Sequence, residues 1–500
     1  MDSSTDGSRV AQLANREEAR RSMGSRMSPY ERGSGVTPTE QRGAHAVARS
    51  VATPPTPRGG AAATTGIERI ATRARQEPQT RYTSLMHHFT VDNLRACFES
   101  LEDKKATGVD GVTKAMYGQN LEANLQELHR KLHQMSYRPK PVRRVEIPKE
   151  DGSTRPLGIS CLEDKIVQEM ARRILETLYE PLFIETSYGF RPKRSCHDAL
   201  RQLNHEVMSE RVNWIADLDL AQFFDTMPHS EILAVLSERI ADPKFLRLIG
   251  RMLKAGLQTP EGIVQDELGS PQGSIVSPVI ANAFLDHVLD QWFVQTVRLY
   301  CRGYCAILRY ADDALAVFEL EADAQRFTRV LPKRLGRFGL RLNPHKTQVL
   351  AFGKRLAWQQ LGRGQRPATF DYLGFTHYWG RSRNGKVRLK RKTSKKRLRR
   401  ALAAINQWLR EHRNRLKLPD LWRATALKVR GHFNYFNVTD NRRALSQFQE
   451  GVRKLLFKWL NRRSQRNSFT WESFRRYSRR YPLPRPGRLV SLNPVWSRAV

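Results

Sequence analysis

Acidic side chains are scarce in this 500-residue chain: 49 Asp and Glu stand against 86 Lys and Arg, a formal net charge of +37. So one-sided a balance argues against an ordinary solvated surface and for a polyanionic partner, which such a field attracts and captures quickly. Apolar runs of about 18 residues or more are missing, which excludes a membrane-spanning helix. No apolar signal-peptide core is present, and the early acids Asp2, Asp6, Glu17 and Glu18 argue against a transit peptide. The expected location is therefore cytoplasmic, of bacterial type. Cysteine is sparse: Cys97, Cys161, Cys196, Cys301 and Cys305 are scattered and odd in number, which fits a reducing compartment rather than a disulfide framework. Only Cys301 and Cys305 lie close together, and with no second pair or Cys/His cluster nearby they read as buried thiols, not a zinc site. Large apolar residues are rare before residue 80, where Ser, Thr, Gly, Ala, Pro and Arg dominate and Ala52 to Gly60 reads as a linker. Disorder is expected over residues 1–80. Internal repeats of roughly 20–50 residues are absent.

What is present is enough apolar residue (40%) for a core, and a length that implies about two to four domains. Helical spacing runs through Val91 to Leu101, Asn120 to Met135 and Leu162 to Leu182. Arg143 to Pro148 is a basic strand, followed by a turn and Arg155-Pro156-Leu157. Trp214 to Leu220 is a short apolar strand; Cys305 to Tyr310 and Ala314 to Phe318 form a hairpin with acids at its tip. The pattern predicts a mixed α+β core. Beyond Lys390 the chain becomes helical and basic, with aromatics such as Trp408, Trp422, Phe433, Phe448, Trp459 and Trp471 placed to fill a small core. From Arg381 onward 34 Lys and Arg face five Asp and Glu, so most of the excess charge lies there.

Three acids stand out. Phosphoryl transfer to a 3′-hydroxyl needs two divalent ions about 3.5–4 Å apart, one at the attacking oxygen and one at the leaving pyrophosphate. Magnesium prefers carboxylate oxygen. Asp219 ends an apolar strand, and Asp312 and Asp313 sit at a hairpin tip; antiparallel pairing would bring all three to one edge. A bare Asp-Asp pair is usually just an acidic turn; what lifts this one is the apolar strands on either side. Asp217 and Asp225 are further candidates; the spacing to Phe224-Asp225 favours Asp219, and Asp217 reads as a neighbour with a packing or charge-balance role.

The motifs resemble those of reverse transcriptases encoded by group II introns. Tyr310-Ala311-Asp312-Asp313 resembles the Y-x-D-D box, Asp219 to Asp225 the first palm motif, and Gly269 to Pro278 the G-x-P-Q-G-x-x-x-S-P motif. Ile147-Pro148-Lys149 with Arg155 to Ile159 resembles the fingers motif; Gly108 to Gly111, Tyr188 to Pro192 and Tyr372 to Phe375 also match, all in family order. Val429 to Phe436 resembles the aromatic stretch of the family's thumb and maturase region. The resemblance implies an α+β right-hand polymerase fold: fingers over 81–205, palm over 206–390, an all-α thumb/maturase domain over 391–478 and a basic, proline-rich tail over 479–500. It implies RNA-directed DNA synthesis with two Mg2+ ions held by Asp219, the Leu220 backbone, Asp312 and Asp313. Lys149 and Arg155 would grip the dNTP triphosphate, Phe224 would exclude a 2′-hydroxyl by size, Gln272 would lie against the nascent pair, and Lys346 would assist pyrophosphate departure. Arg191, Pro271, Gly273 and Tyr310 would touch template or primer; Lys395, Lys396, Arg397, Arg399, Arg400 and Arg430 would bind RNA.

The implied partners are an RNA template, the intron RNA, a DNA primer or target, and dNTPs, with a homodimer left open. Taken singly, Lys149 reads as a solvated turn lysine and Phe224 as plain core. Ser160 stands where the family often has proline, and no His-Asn-His nuclease pattern is found, so DNA-strand cleavage is not expected. Two other readings remain: an RNA-binding splicing cofactor whose polymerase is idle, and a domesticated host enzyme of repair or defence.

Overall fold

The computed structural model describes residues 65–103, 105–148, 154–209, 211–259, 262–264, 268–269, 273–464 and 468–492. In chain order its strands are β1 Val142–Pro148, β2 Thr154–Ile159, β3 Trp214–Asp219, β4 Leu257–Thr259, β5 Gly262–Val264, β6 Cys305–Tyr310, β7 Asp313–Phe318, β8 Gln348–Ala351, β9 Thr369–Tyr372, β10 Phe375–Arg381 and β11 Val387–Thr393. They form three sheets, ordered β2-β1-β4-β5, β6-β7-β3-β8 and β11-β10-β9.

The central sheet, β6-β7-β3-β8, is antiparallel throughout. Its apolar runs are buried on both faces rather than one. Ala216, Leu218, Ile307, Ala314, Ala316 and Phe318 enter one core, shared with the long helix Leu162–Tyr179 and the helix Ser277–Leu285. Ile215, Leu308, Leu315 and Val317, offset by one position, enter a second core with the C-terminal helices. The two-residue period of a strand thus explains why these segments read as continuous hydrophobic runs.

Four C-terminal helices, Lys395–His412, Leu418–Phe436, Arg442–Leu460 and Trp471–Arg480, pack Trp422, Phe433, Phe448, Trp459 and Phe474 into that second core. Trp471 departs from the expectation: it is exposed, stacked on Phe457 with ring centroids 3.8 Å apart. The order at the N-terminal side also begins earlier than expected. Thr65–Gln76 is a helix whose Ile70 and Ala74 are buried in the first core, so disorder does not extend to residue 80. Residues 1–64 lie outside the described residues. All five cysteines are free, and among the described residues no helix is long and apolar enough to cross a membrane.

Candidate active site

Pairing between β3 and β7 sets Asp219 opposite Asp313, and Tyr310 of β6 pairs with the same Asp313. Only Ala311 and Asp312 therefore make the turn. Ala311 takes a left-handed φ of 57°, a conformation costly for a residue with a Cβ. The surroundings impose it. Gly189 lies so close that an added Cβ would stand 2.2 Å from the Ala311 nitrogen. The Tyr188 amide donates to the Arg309 carbonyl at 2.8 Å, and the Arg309 amide to Thr186 at 2.9 Å. Beneath the turn the buried Arg309 guanidinium donates to both oxygens of Asp290, to Asn282 Oδ1 and to the Ala311 carbonyl. Asn282 in turn donates to the Gly189 carbonyl at 2.7 Å. Asp290 and Asp286 lie in the π-helical stretch Asp286–Gln291. Burial, and then the Asp290 charge, push Asp286 up to about 7. Sequence reading took Arg309 as a strand residue only; its partners are too remote along the chain for any local signal to reveal them.

The acids crowd one another. The surrounding protein, then the charges of Asp312, Asp219 and Asp217, push Asp313 up to about 7, although the residue is exposed. Asp217 goes to about 6, first by burial, with Asp219 and Asp371 adding to it. Repulsion of this kind is what divalent cations relieve, and the donors are the hard oxygens magnesium prefers. As they stand, no three His, Cys, Asp or Glu side chains among the described residues adopt metal-holding geometry. Asp219 instead pairs with Lys346 at 2.8 Å. A cluster of carboxylates that carries net negative charge is expected to draw a lysine to itself in this way.

The backbone of Asp219 is clamped by the segment before β8. Asn343 donates to its carbonyl at 2.7 Å, its amide donates to Thr347 Oγ1 at 3.3 Å, and Ala221 donates to Arg341. This bridge uses the groups flanking Leu220 rather than its own, which leaves the Leu220 carbonyl out of the bridge bonds. Phe224 is half-buried beside Phe223, on the short helix Phe223–Thr226 that follows a left-handed Gln222.

Gly273 sits at φ 109°, where a Cβ would come 2.7 Å from the Gly158 carbonyl of β2. Buried Ser160 accepts from Gln168, whose side-chain oxygen accepts from the Ile275 amide. The residue that departs from the resemblance thus helps anchor the glycine-rich segment. Lys149, Pro271 and Gln272 lie outside the described residues, and of Arg155 only the backbone, opposite Ile147, is described. Tyr310 is half-buried against the second core. Arg191 is a correction: it is buried, and its guanidinium is held by Glu180 and by the carbonyls of Ile184 and Ser187. These bonds tie Arg191 to the segment 180–187 instead of leaving it to reach template or primer.

Alongside the acids runs a cleft of about 1240 Å3 lined by Gln348, Asp371 and Lys392 and by Lys395, Lys396, Arg399 and Arg400 of the first C-terminal helix. Gln348 pairs with Asp217, two residues from Asp219, and the Arg397 charge reaches Asp313 and pulls its pKa back down. The hairpin Tyr372 to Phe375 turns through Leu373 and Gly374 at positive φ, as a two-residue connection demands. Tyr435 caps it by donating to the Leu373 carbonyl at 3.0 Å. Arg430 is exposed on the same helix as Tyr435.

Residues 147–377 match the family described as reverse transcriptase (RNA-dependent DNA polymerase), and residues 398–478 match the group II intron, maturase-specific domain. The class is a mixed α+β reverse-transcriptase domain followed by a maturase-specific one. The chain is 33% identical over 318 residues to Protein YkfC of Escherichia coli, an alignment of 56% of this chain and 83% of that one. It is 33% identical over 231 residues to the group II intron-encoded protein LtrA of Lactococcus lactis (46% of this chain, 38% of LtrA). It is 44% identical over 158 residues to an uncharacterized 91 kDa protein in the cob intron of Schizosaccharomyces pombe (32% and 19%). The chain thus spans most of the first of these and well under half of the other two. The chain belongs to the group II intron-encoded reverse transcriptase/maturase family.

Proposed function

We propose that this protein is an RNA-directed DNA polymerase that extends a primer 3′-hydroxyl with dNTPs on an RNA template, and that it also binds intron RNA and assists its splicing. The observation that carries the reading is the strand register that faces Asp219 with Asp313 beside a two-residue turn bearing Asp312. Asp219, Asp312, Asp313 and the Leu220 carbonyl would hold two magnesium ions. When bound, such ions activate the attacking hydroxyl and steady the leaving pyrophosphate.

The chain's own groups do the rest. Lys149 and Arg155 grip the triphosphate, and Phe224 closes the space beside C2′ against a hydroxyl. Gln272, Pro271 and Gly273 support the nascent pair, with Tyr310 nearby. Lys346 exchanges its contact with Asp219 for the departing pyrophosphate. Lys395, Lys396, Arg397, Arg399, Arg400 and Arg430 contact RNA phosphates, so affinity falls steeply with salt.

Asp312→Asn with Asp313→Asn tests this. DNA synthesis on a primed RNA should disappear while RNA binding and splicing persist; synthesis that survives both changes refutes the site. A splicing cofactor with an idle polymerase would show no synthesis in the unaltered protein.

A further inference from the structure

The helix Pro243–Leu253 turns Phe245, Leu248, Ile249 and Met252 into the first core. Arg247, Arg251 and Lys254 follow at spacings of four and three residues, so they project as one stripe on its other side. With Arg138, from the segment leading into β1, they line an open cavity of about 650 Å3, and among the described residues no carboxylate lines it. Its floor is apolar, with Leu233, Leu246 and Pro141.

Arg251 fixes the architecture by donating to the carbonyls of Met135 and Tyr137 at 2.8 and 3.0 Å. Arg138 reaches the same two carbonyls at 3.3 and 3.2 Å, which draws the two guanidinium groups together. Partial burial, then the charges of Arg138 and Arg247, lower the Arg251 pKa. Cations gathered this closely repel, and an anion among them removes that cost. A bare inorganic anion would leave the apolar floor unused, whereas a nucleotide offers phosphate to the rim and sugar and base to the floor. The volume falls within the ~300–1,000 Å3 of small-molecule sites, room for a nucleotide with its flanking phosphates.

We infer that this cavity is a second RNA-binding site, in which Arg138, Arg247 and Lys254 hold the phosphates around one nucleotide of a folded RNA while its sugar and base rest on Leu233 and Leu246. None of its residues belongs to the strands of the acids or to the basic helix Lys395–His412, so it enlarges the RNA footprint beyond the polymerising cleft. The inference rests on the reading of this chain as an RNA-binding protein.

The test measures binding of transfer RNA, as a generic folded RNA, across a salt series with the full chain and with Arg247→Glu/Lys254→Glu. The variant should bind about tenfold more weakly near physiological salt, and its log-affinity against log-salt slope should flatten by about two, one per lost phosphate contact. Primer extension on a short primed template should be unchanged. Arg247→Gln alone, with melting temperature as the folding control, should give a smaller loss in the same direction. Equal affinity and slope in the variants, with the unaltered chain binding well, overturn the second site alone. Failure of the unaltered chain to bind folded RNA overturns the RNA-binding reading beneath it. A variant that keeps its RNA affinity but changes its sedimentation makes the cavity a contact between copies and overturns the inference as well.

Discussion

Asp313 shows how much of the site is electrostatic. Its carboxyl is pushed from an ordinary 3.8 to about 7. Between those values the folded protein holds a proton that the unfolded chain has lost, so this group's contribution to stability is lost as pH rises through 7. Magnesium requires the ionised form. Added MgCl2 should therefore raise the melting temperature more at pH 8 than at pH 6; an equal or larger gain at pH 6 would contradict the metal assignment. Arg309 and Asp290, both fully buried, make the complementary case. Asp290→Ala strands a buried guanidinium and should cost about 3–5 kcal/mol in denaturant unfolding; a loss under about 1 kcal/mol, the worth of an exposed pair, would mean the bridge is dispensable. Asp312 and Asp313 were legible because two apolar strands flank them. Arg309 was not, since Asp290 and Asn282 lie 19 and 27 residues away. Arg191 was misread because charge alone does not show that Glu180 already holds it.

Elements meet at glycines where no Cβ fits. Gly189 belongs to a loop that presses on the Ala311 nitrogen, and Arg309 holds the other side of that turn in place. Gly189→Ala should displace the acids by a fraction of an ångström to an ångström, enough to reduce primer extension by about 10²-fold. RNA binding and circular dichroism should stay as they were; full activity would show that the turn does not depend on this contact. The sequence made the long helices and the hairpin plain because their apolar spacing is dense. It hid the helix Thr65–Gln76, whose burial rests on a few residues, Ile70 and Ala74 among them, in a polar, basic run. It also hid the π-helical stretch Asp286–Gln291, since a widened turn leaves no periodic mark of its own.

Across the whole molecule, one sheet serves two cores, and the aromatics of the second stack on two histidines, His377 buried and His432 half-buried. Burial and the Arg391 charge hold His377 down to about 3, and burial holds His432 at about 4. Both stay neutral when folded but take protons near 6.5 when unfolded, so the stability they permit above that pH is lost as it falls toward 4. The denaturant midpoint should drop between pH 7 and pH 5. His432→Phe, which keeps the stack on Phe448 at 3.7 Å, should make that drop shallower; an unchanged slope would remove His432 as a cause. The division into two cores could be anticipated only in part. Continuous apolar strands announce burial on both sides, but not which helices cover each face.

The brevity of the Ala311–Asp312 turn constrains what laboratory evolution can do with this protein. One inserted residue at the tip would, by the alternation of a strand, swing the Asp313 carboxylate to the opposite face and into hydrocarbon. Libraries aimed at altered copying should leave the tip's length fixed and vary the bulk around Phe224 and the backbone near Gly273.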